Sequence, residues 1–359
     1  MSLLLFGDLA LPDKRHFDFK NLMDFVKDKH CVLNLEGPII DSKQVVPDNL
    51  TKYNLYNTTD CTALLLRLNV KAVGLANNHV ADYGVSSLAV TKNKLSSMGI
   101  GYFGLKGEAS HCVKVDNESF IIIAACSSIT DCSPLVNAFE PAKLLTRIHE
   151  LHKKNPDKKI IVYMHWGVEL LPIPLPCDRQ WAKRAIDEGA YAIIGHHPHV
   201  TQGIEVYKGR LIAYSLGNFI LPQTTFYDKV LKYYTKEVYK QYCVEIFKDE
   251  LIVHEAVCTE KDWWLDRSST VKQFVKHGLV KNWHSLDDKE YLAYFQSSTK
   301  HHRGKFEKFF PTYRSYDDYS GFNNQILGIK SHIFQGVRRL AIRAGIHRPY
   351  VKVQDPNFC

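Results

Sequence analysis

The sequence of 359 residues has no apolar run near the roughly 20 residues that cross a bilayer. Its longest, Ser119 to Cys126 and Lys159 to Met164, are strand-sized, so no transmembrane helix is expected. Met1 leads straight into SLLLFGD with no basic leader and no small-residue cleavage site, which argues against secretion. The nine cysteines include no CxxC pair, and their number is odd. Reduced thiols in a cytoplasmic setting follow as the expectation. Cys31 and Cys126 stand inside apolar runs, where a thiol acts as a small hydrophobe and not as a nucleophile. Internal repeats and low-complexity tracts are also missing.

What is present is enough apolar material, 45% of residues, to bury a full core. Charge is unevenly placed. The first 260 residues balance 29 Lys and Arg against 29 Asp and Glu, while residues 261–359 hold 17 against 9 and so carry the whole net charge of +8. A basic tail suggests an anionic partner, such as a membrane surface, a polyanionic glycan or a nucleic acid, although a charge run is commonly only a solvated face.

Over the first 215 residues strand-length apolar runs alternate with amphipathic stretches, the pattern of an α/β domain with a largely parallel sheet. Strands are predicted at 2–7, 31–35, 71–76, 100–104, 111–115, 119–126, 159–164, 191–194, 203–207 and 210–215. Helices are predicted near 18–29, 58–68, 84–97, 140–154 and 178–188, the last ended by Gly189 through a left-handed cap. Hairpins are expected to turn at Lys208-Gly209 and at Lys248-Asp249-Glu250. The second closes a domain spanning 1–260. Beyond it, 261–359 reads as a basic helical extension with helices near 268–280, 286–298 and 322–344. The last places Ile326, Ile329, Ile333, Val337 and Leu340 at helical spacing among basic residues, as a docked helix or a membrane-surface helix would.

The polar clusters fall directly after apolar runs. Asp8 follows SLLLF, Glu36 follows CVLNL, Asn77-Asn78-His79 follows AVGLA, His165 follows IIVYM, and His196-His197-Pro198-His199 follows YAIIG. Loops at the carboxyl ends of parallel strands gather on one edge, so these segments can share one site. Two carboxylates, amide oxygens and imidazoles without a thiolate suit a divalent metal such as Mn, Fe or Zn. A pair of such ions needs a bridging carboxylate, and Glu36 is the best candidate. Singly, each cluster has an ordinary structural explanation: a strand-end turn for Asp8 or Glu36, a left-handed Asn at Asn78, a hydrogen-bonded core histidine at His165. GHHPH is the exception, with three imidazoles in four residues. On extended backbone His197 and His199 share one face and His196 points away, unless a bend reverses the assignment.

NLEGP, LANNHVADYG, HWGVE and GHHPHVTQGIEVYKGRLIAYSLGNF together resemble, in consistent order over residues 3–222, the CapA-type proteins of poly-γ-glutamate capsule synthesis, a branch of the calcineurin-like metallophosphoesterase superfamily. The resemblance implies a four-layer fold, two packed β-sheets flanked by helices, and a phosphoester hydrolase holding one or two divalent ions. It implies metal ligands at Asp8, Glu36, Asn78, His165, His197 and His199. It also implies an outer imidazole at His79 oriented by Asp82, and pocket residues at Glu169, Gln202 and Asn218. The superfamily's histidine two residues after the first aspartate is replaced here by Ala10, which puts one metal position in doubt. The alternative is a non-catalytic accessory protein in assembly of an anionic surface polymer. A phosphorylated or polymer-related anion is the expected partner. Peripheral membrane contact through the basic helix is a further one, and nucleic acid is not expected because no nucleic-acid motif is visible. The prolines at 172, 174 and 176 make the segment from Leu170 to Pro176 a stiff extended loop, open to reading as a lid or as a surface excursion.

Overall fold

The computed structural model describes residues 1–13, 19–41, 45–48, 53–233, 235–271, 273 and 285–299. The helix expected at 322–344 lies outside the described residues.

Two sheets are packed face to face. The first is ordered β16-β15-β14-β1-β2-β3-β4, with β11 pairing β1 off that path. It is built from β1 (Ser2–Leu9), β2 (Lys29–Leu35), β3 (Val70–Gly74), β4 (Gly101–Phe103), β11 (Asn218–Ile220), β14 (Lys240–Phe247), β15 (Glu250–Cys258) and β16 (Trp263–Thr270). The second, β5-β6-β7-β8-β10-β9, contains β5 (Ser110–Val115), β6 (Glu118–Cys126), β7 (Lys159–His165), β8 (Ala192–His196), β9 (Ile204–Tyr207) and β10 (Arg210–Ala213). A two-stranded ribbon, β12 (Thr225–Phe226) and β13 (Lys229–Val230), stands apart from both.

β1 is buried along all of its length, which is why it reads as a continuous apolar run and not an alternating one. Leu3, Leu5, Val32, Phe103, Ile122, Tyr163 and Ile194 belong to one core shared by both sheets. The Tyr163 hydroxyl crosses that core to the Val32 carbonyl at 3.3 Å. Helices α1 (Lys20–Val26), α2 (Thr59–Arg67) and α3 (Gly84–Ser97) lie against the first sheet. Helices α4 (Pro141–Lys154), α5 (Pro176–Asp187) and α6 (Asp288–Ser298) cover the outer face of the second, over a core centred on Trp166 and Trp181. The arrangement helix, sheet, sheet, helix is the expected one.

All ten expected strands and the first five helices form, with ends shifted by a few residues. Gly189 has φ +107°, and Lys208 and Gly209 take φ +48° and +74°, the left-handed pair that a two-residue hairpin requires. The boundary at 260 is corrected: β16 pairs antiparallel with β15 from Cys258↔Trp263 to Ile252↔Thr270. The sheet therefore runs to residue 270, and the helix expected near 268–280 starts no earlier than Val271, with most of its expected span outside the described residues. WWLDRSST escapes a hydrophobicity reading because β16 is an edge strand with only Trp263 fully buried. The helix expected at 286–298 is α6, opened by a capping box in which Asp287 and Glu290 each bond the other's backbone N–H.

Candidate metal centre

The strands place the polar clusters at one end of the two sheets. β1 shifts register between Leu5 and Asp8 and continues to Leu9, so Asp8 sits inside the strand, opposite Asn34 on β2 and Asn218 on β11. Gly7 allows that crowding: a Cβ there would meet the Gly217 carbonyl oxygen at 2.0 Å. His165 and His196 are the last residues of β7 and β8, directly paired across the two strands.

Glu36 is fully buried at the centre. Its Oε2 lies 3.9 Å from His199 Nδ1, which is itself 3.8 Å from Asp8 Oδ2. Its Oε1 faces the other way, 3.7 Å from His165 Nε2, which contacts Asn78 Oδ1 at 2.7 Å. The His197 ring lies between the two groups, with centroid distances of 4.9 Å to His165 and 5.9 Å to His199. One carboxylate thus presents an oxygen to each of two donor clusters, and the ligand atoms of Asp8, Glu36 and His199 all lie within 4.8 Å of one another. All six residues expected to hold metal are brought together.

These groups fit a cation better than they fit each other. Neither oxygen of Glu36 has a hydrogen-bond partner among the described residues. Burial, then the charges of Asp8, Asp82 and Glu169, push its carboxyl well above the usual carboxylate range. Burial and the neighbouring imidazoles of His197, His196, His199 and His79 push His165 well below the usual histidine value. Neutral imidazoles beside an anionic bridge are what divalent ligation requires, and a bound cation would reverse the cost of burying Glu36 charged.

The loop after β8 is not extended. His197 has φ +96° and His199 φ +59°, both left-handed and strained for a residue with a Cβ. That bend aims the His197 backbone N–H at Asp8 Oδ2, 3.2 Å away, and still leaves the two rings side by side. The rings of His197 and His199 thus reach the same cluster on a different backbone from the one expected. His196 stacks on Tyr163 at 4.7 Å in the inter-sheet core, yet its Nδ1 borders Asp8 Oδ1 at 3.7 Å. Burial outweighs that carboxylate and lowers its pKa to about 4.

Around the donors, His79 Nδ1 meets Asp82 Oδ2 at 2.6 Å, and Asp82 is held in turn by the Leu55 backbone N–H at 2.9 Å. The expected contact between His79 and Asp82 is therefore present. Asn218 turns its Oδ1 to His199 Nδ1 at 2.9 Å, and Glu169 is close enough for its charge to act on Glu36. Gln202 differs from the expectation. Its amide donates to the carbonyls of Leu171 (2.8 Å) and Ile173 (3.2 Å), which makes it a brace for the proline loop and not a pocket residue.

Sequence reasoning missed Asn34 and gave Asn77, within its cluster, no role of its own. Asn34 donates to Asp8 Oδ1 at 2.7 Å and accepts from Asn77 at 3.2 Å, while Asn77 Oδ1 accepts from the His79 backbone N–H at 3.1 Å. These amides tie three strand ends together and fix the orientation of Asp8. The available signal was a buried Asn inside the apolar run CVLNL. The other omission is Tyr233, whose ring centroid lies 5.6 Å from that of His199.

A profile of the bacterial capsule synthesis protein family PGA_cap matches residues 18–223, more than half of the chain. The chain belongs to this family. It is 33% identical over 205 residues to the PGA biosynthesis protein CapA of Bacillus subtilis, covering 53% of this chain and 52% of that protein. It is 30% identical over 221 residues to the capsule biosynthesis protein CapA of Bacillus anthracis, covering 57% and 54%. The chain thus spans about half the length of the curated relatives it matches. Among solved structures it is similar to a phosphatase from Mycoplasma pneumoniae, with a TM-score of 0.42, 11% identity, and coverage of 79% of this chain and 97% of that one. The PGA_cap match contains five of the six metal-centre residues and Asn34, Asn77, His79 and Asp82; Asp8 precedes it.

Proposed function

We propose that this PGA_cap protein is a metal-dependent phosphoester hydrolase serving the synthesis of a capsule or other anionic surface polymer. The observation that carries the reading is Glu36, buried with both oxygens unpaired among the described residues and one turned to each donor cluster. Asp8, Glu36 and His199 would hold one ion, and Glu36, Asn78, His165 and His197 a second, with Mn, Fe or Zn suited to the donor set. A bound ion would supply electrophilic activation of a phosphoryl oxygen.

The protein's own groups supply the rest. Asp82 fixes His79 through Nδ1, which leaves Nε2 free to face the departing oxygen and, when both ring nitrogens carry hydrogen, to give it a proton. Asn34 and the His197 backbone N–H hold Asp8 in place, so its orientation need not be reorganised during reaction. The substrate is a phosphorylated or polymer-related anion, and the basic tail gives the chain a peripheral contact with an anionic membrane from the cytoplasmic side. The PGA_cap membership and the two CapA relatives support the link to surface-polymer synthesis.

A second reading, an accessory protein that keeps the centre as a docking site, is favoured by one observation. Ala10 is fully buried and offers no donor two residues after Asp8. Hydrolysis of an aryl phosphate by protein loaded with Mn, Fe or Zn separates the two. Turnover that is lost in both Glu36→Ala and His197→Ala supports the hydrolase; no turnover with any of the three metals leaves the accessory role.

A further inference from the structure

The chemistry above uses nothing beyond residue 218, yet α6 reaches back to the wall of the site. The segment between β7 and α5 is held from two sides. On the site side, the Leu170 N–H donates to the Pro198 carbonyl at 2.8 Å, and Gln202 holds the carbonyls of Leu171 and Ile173. Leu170 sits in this segment at φ +59°, a conformation that these bonds must maintain. On the far side, the buried hydroxyl of Tyr291 on α6 donates to the Pro174 carbonyl at 2.7 Å. Tyr291 and Phe295 share a core with Leu171, Ile173, Leu175 and Trp181.

The docking of α6 is itself built around a buried cation. Arg179 on α5 has no exposed surface. Its Nε and Nη2 contact Glu205 Oε2 and Oε1 at 3.2 and 3.0 Å, and its guanidinium lies 4.7 Å over the Tyr291 ring. Nη2 also donates to the Leu286 carbonyl at 2.9 Å, just before α6. A fully buried Arg with two carboxylates, Glu205 and, through Nη1 at 3.4 Å, Asp288 on α6, one carbonyl and an aromatic face is a specific joint, because removing any partner leaves charge or donors unsatisfied.

We propose that α6 is a working part of the site, with Tyr291 as a positioning residue that fixes the loop from Gly167 to Leu175 and so sets where Glu169 stands beside the donor clusters. The consequence is that substrate binding depends on a helix outside the PGA_cap match at 18–223. Only the kinetic arm of the test rests on the hydrolase reading.

Tyr291→Phe removes the hydroxyl and keeps the ring over Arg179. Hydrogen exchange at the bonded Leu170 and Leu171 amides should quicken about fivefold, the factor carried by one ordinary hydrogen bond, while metal content stays at the wild-type value. In steady-state assays with an aryl phosphate, KM should rise by a similar factor with kcat little changed, and Glu169→Gln should move the same constant. Wild-type exchange at both amides in Tyr291→Phe, whatever its melting temperature, overturns the proposal and leaves α6 as packing alone. Exchange is read without substrate. An inactive wild type would therefore count against hydrolysis and leave this inference decided by the amides.

Discussion

Burying a carboxylate with neither oxygen bonded costs several kcal/mol unless the group is protonated or faces a cation. Glu36 is in that position, and Asp8, 0% exposed and held by Asn34, sits beside it. Replacing Glu36 with Gln removes the charge at nearly constant shape, so the folded protein should become more stable without metal and lose its affinity for it. Thermal melts with and without Mn would show a higher metal-free midpoint and no metal-induced rise. His79 tests the other half of the chemistry. His79→Asn should lower kcat about 10²-fold or more while metal content stays unchanged, since in the proposed reaction the ring held by Asp82 moves a proton and does not ligate. Much of this was legible in the sequence, because Asp8, Glu36, Asn78, His165 and the paired histidines each end or follow an apolar run, and a strand end is where side chains leave the core. Asn34 and Asn77 were not, since a buried amide declares itself only through the partner it bonds. The left-handed backbone at His197 and His199 was likewise hidden, because residue type alone favours a conformation other than the one the Asp8 contact enforces.

Among the elements, β16 alters the domain limits most. Trp263 on it is buried against the first sheet, with its ring 5.2 Å from Phe25 on α1. A chain ended at Thr259 should lose that indole and expose the edge of β15, leaving it aggregation-prone and less stable by about 3–5 kcal/mol, the cost of deleting a buried tryptophan alone. One ended at Thr299 should melt as a cooperative unit; calorimetry on both distinguishes the two limits. The composition shift at 260 suggested a boundary because an edge strand exposes most of its side chains, and polarity cannot separate that from a linker. The same sheet carries an acid-sensitive cluster. Although burial opposes it, hydrogen bonds from His254 and Ser2 and the charge of Lys29 lower the Glu245 pKa from 4.5 to about 2. The unfolded chain therefore takes up this proton first as pH falls. The stabilisation is complete above pH 4.5 and is lost as pH approaches 2, so Glu245→Gln should flatten that part of a stability profile followed by urea unfolding.

At the scale of the whole molecule, a neutral two-sheet body carries a basic C-terminal segment. Among the described residues no helix is long and apolar enough to cross a membrane. If the tail supplies contact with an anionic surface, the full chain should sediment with vesicles containing phosphatidylserine at low salt and detach as salt rises, whereas a chain ended at Thr299 should stay in solution. The layered architecture was readable from alternating runs. The reach of α6 back to Pro174 was not, because that contact joins residues 117 apart in sequence and depends on Arg179 being buried. The most direct test of the central claim is elemental analysis of protein isolated without chelators, wild type beside Glu36→Ala. The account predicts at least one equivalent of Mn, Fe or Zn per wild-type chain and a clear loss in the variant. A metal-free wild type, or equal metal in both, would contradict it.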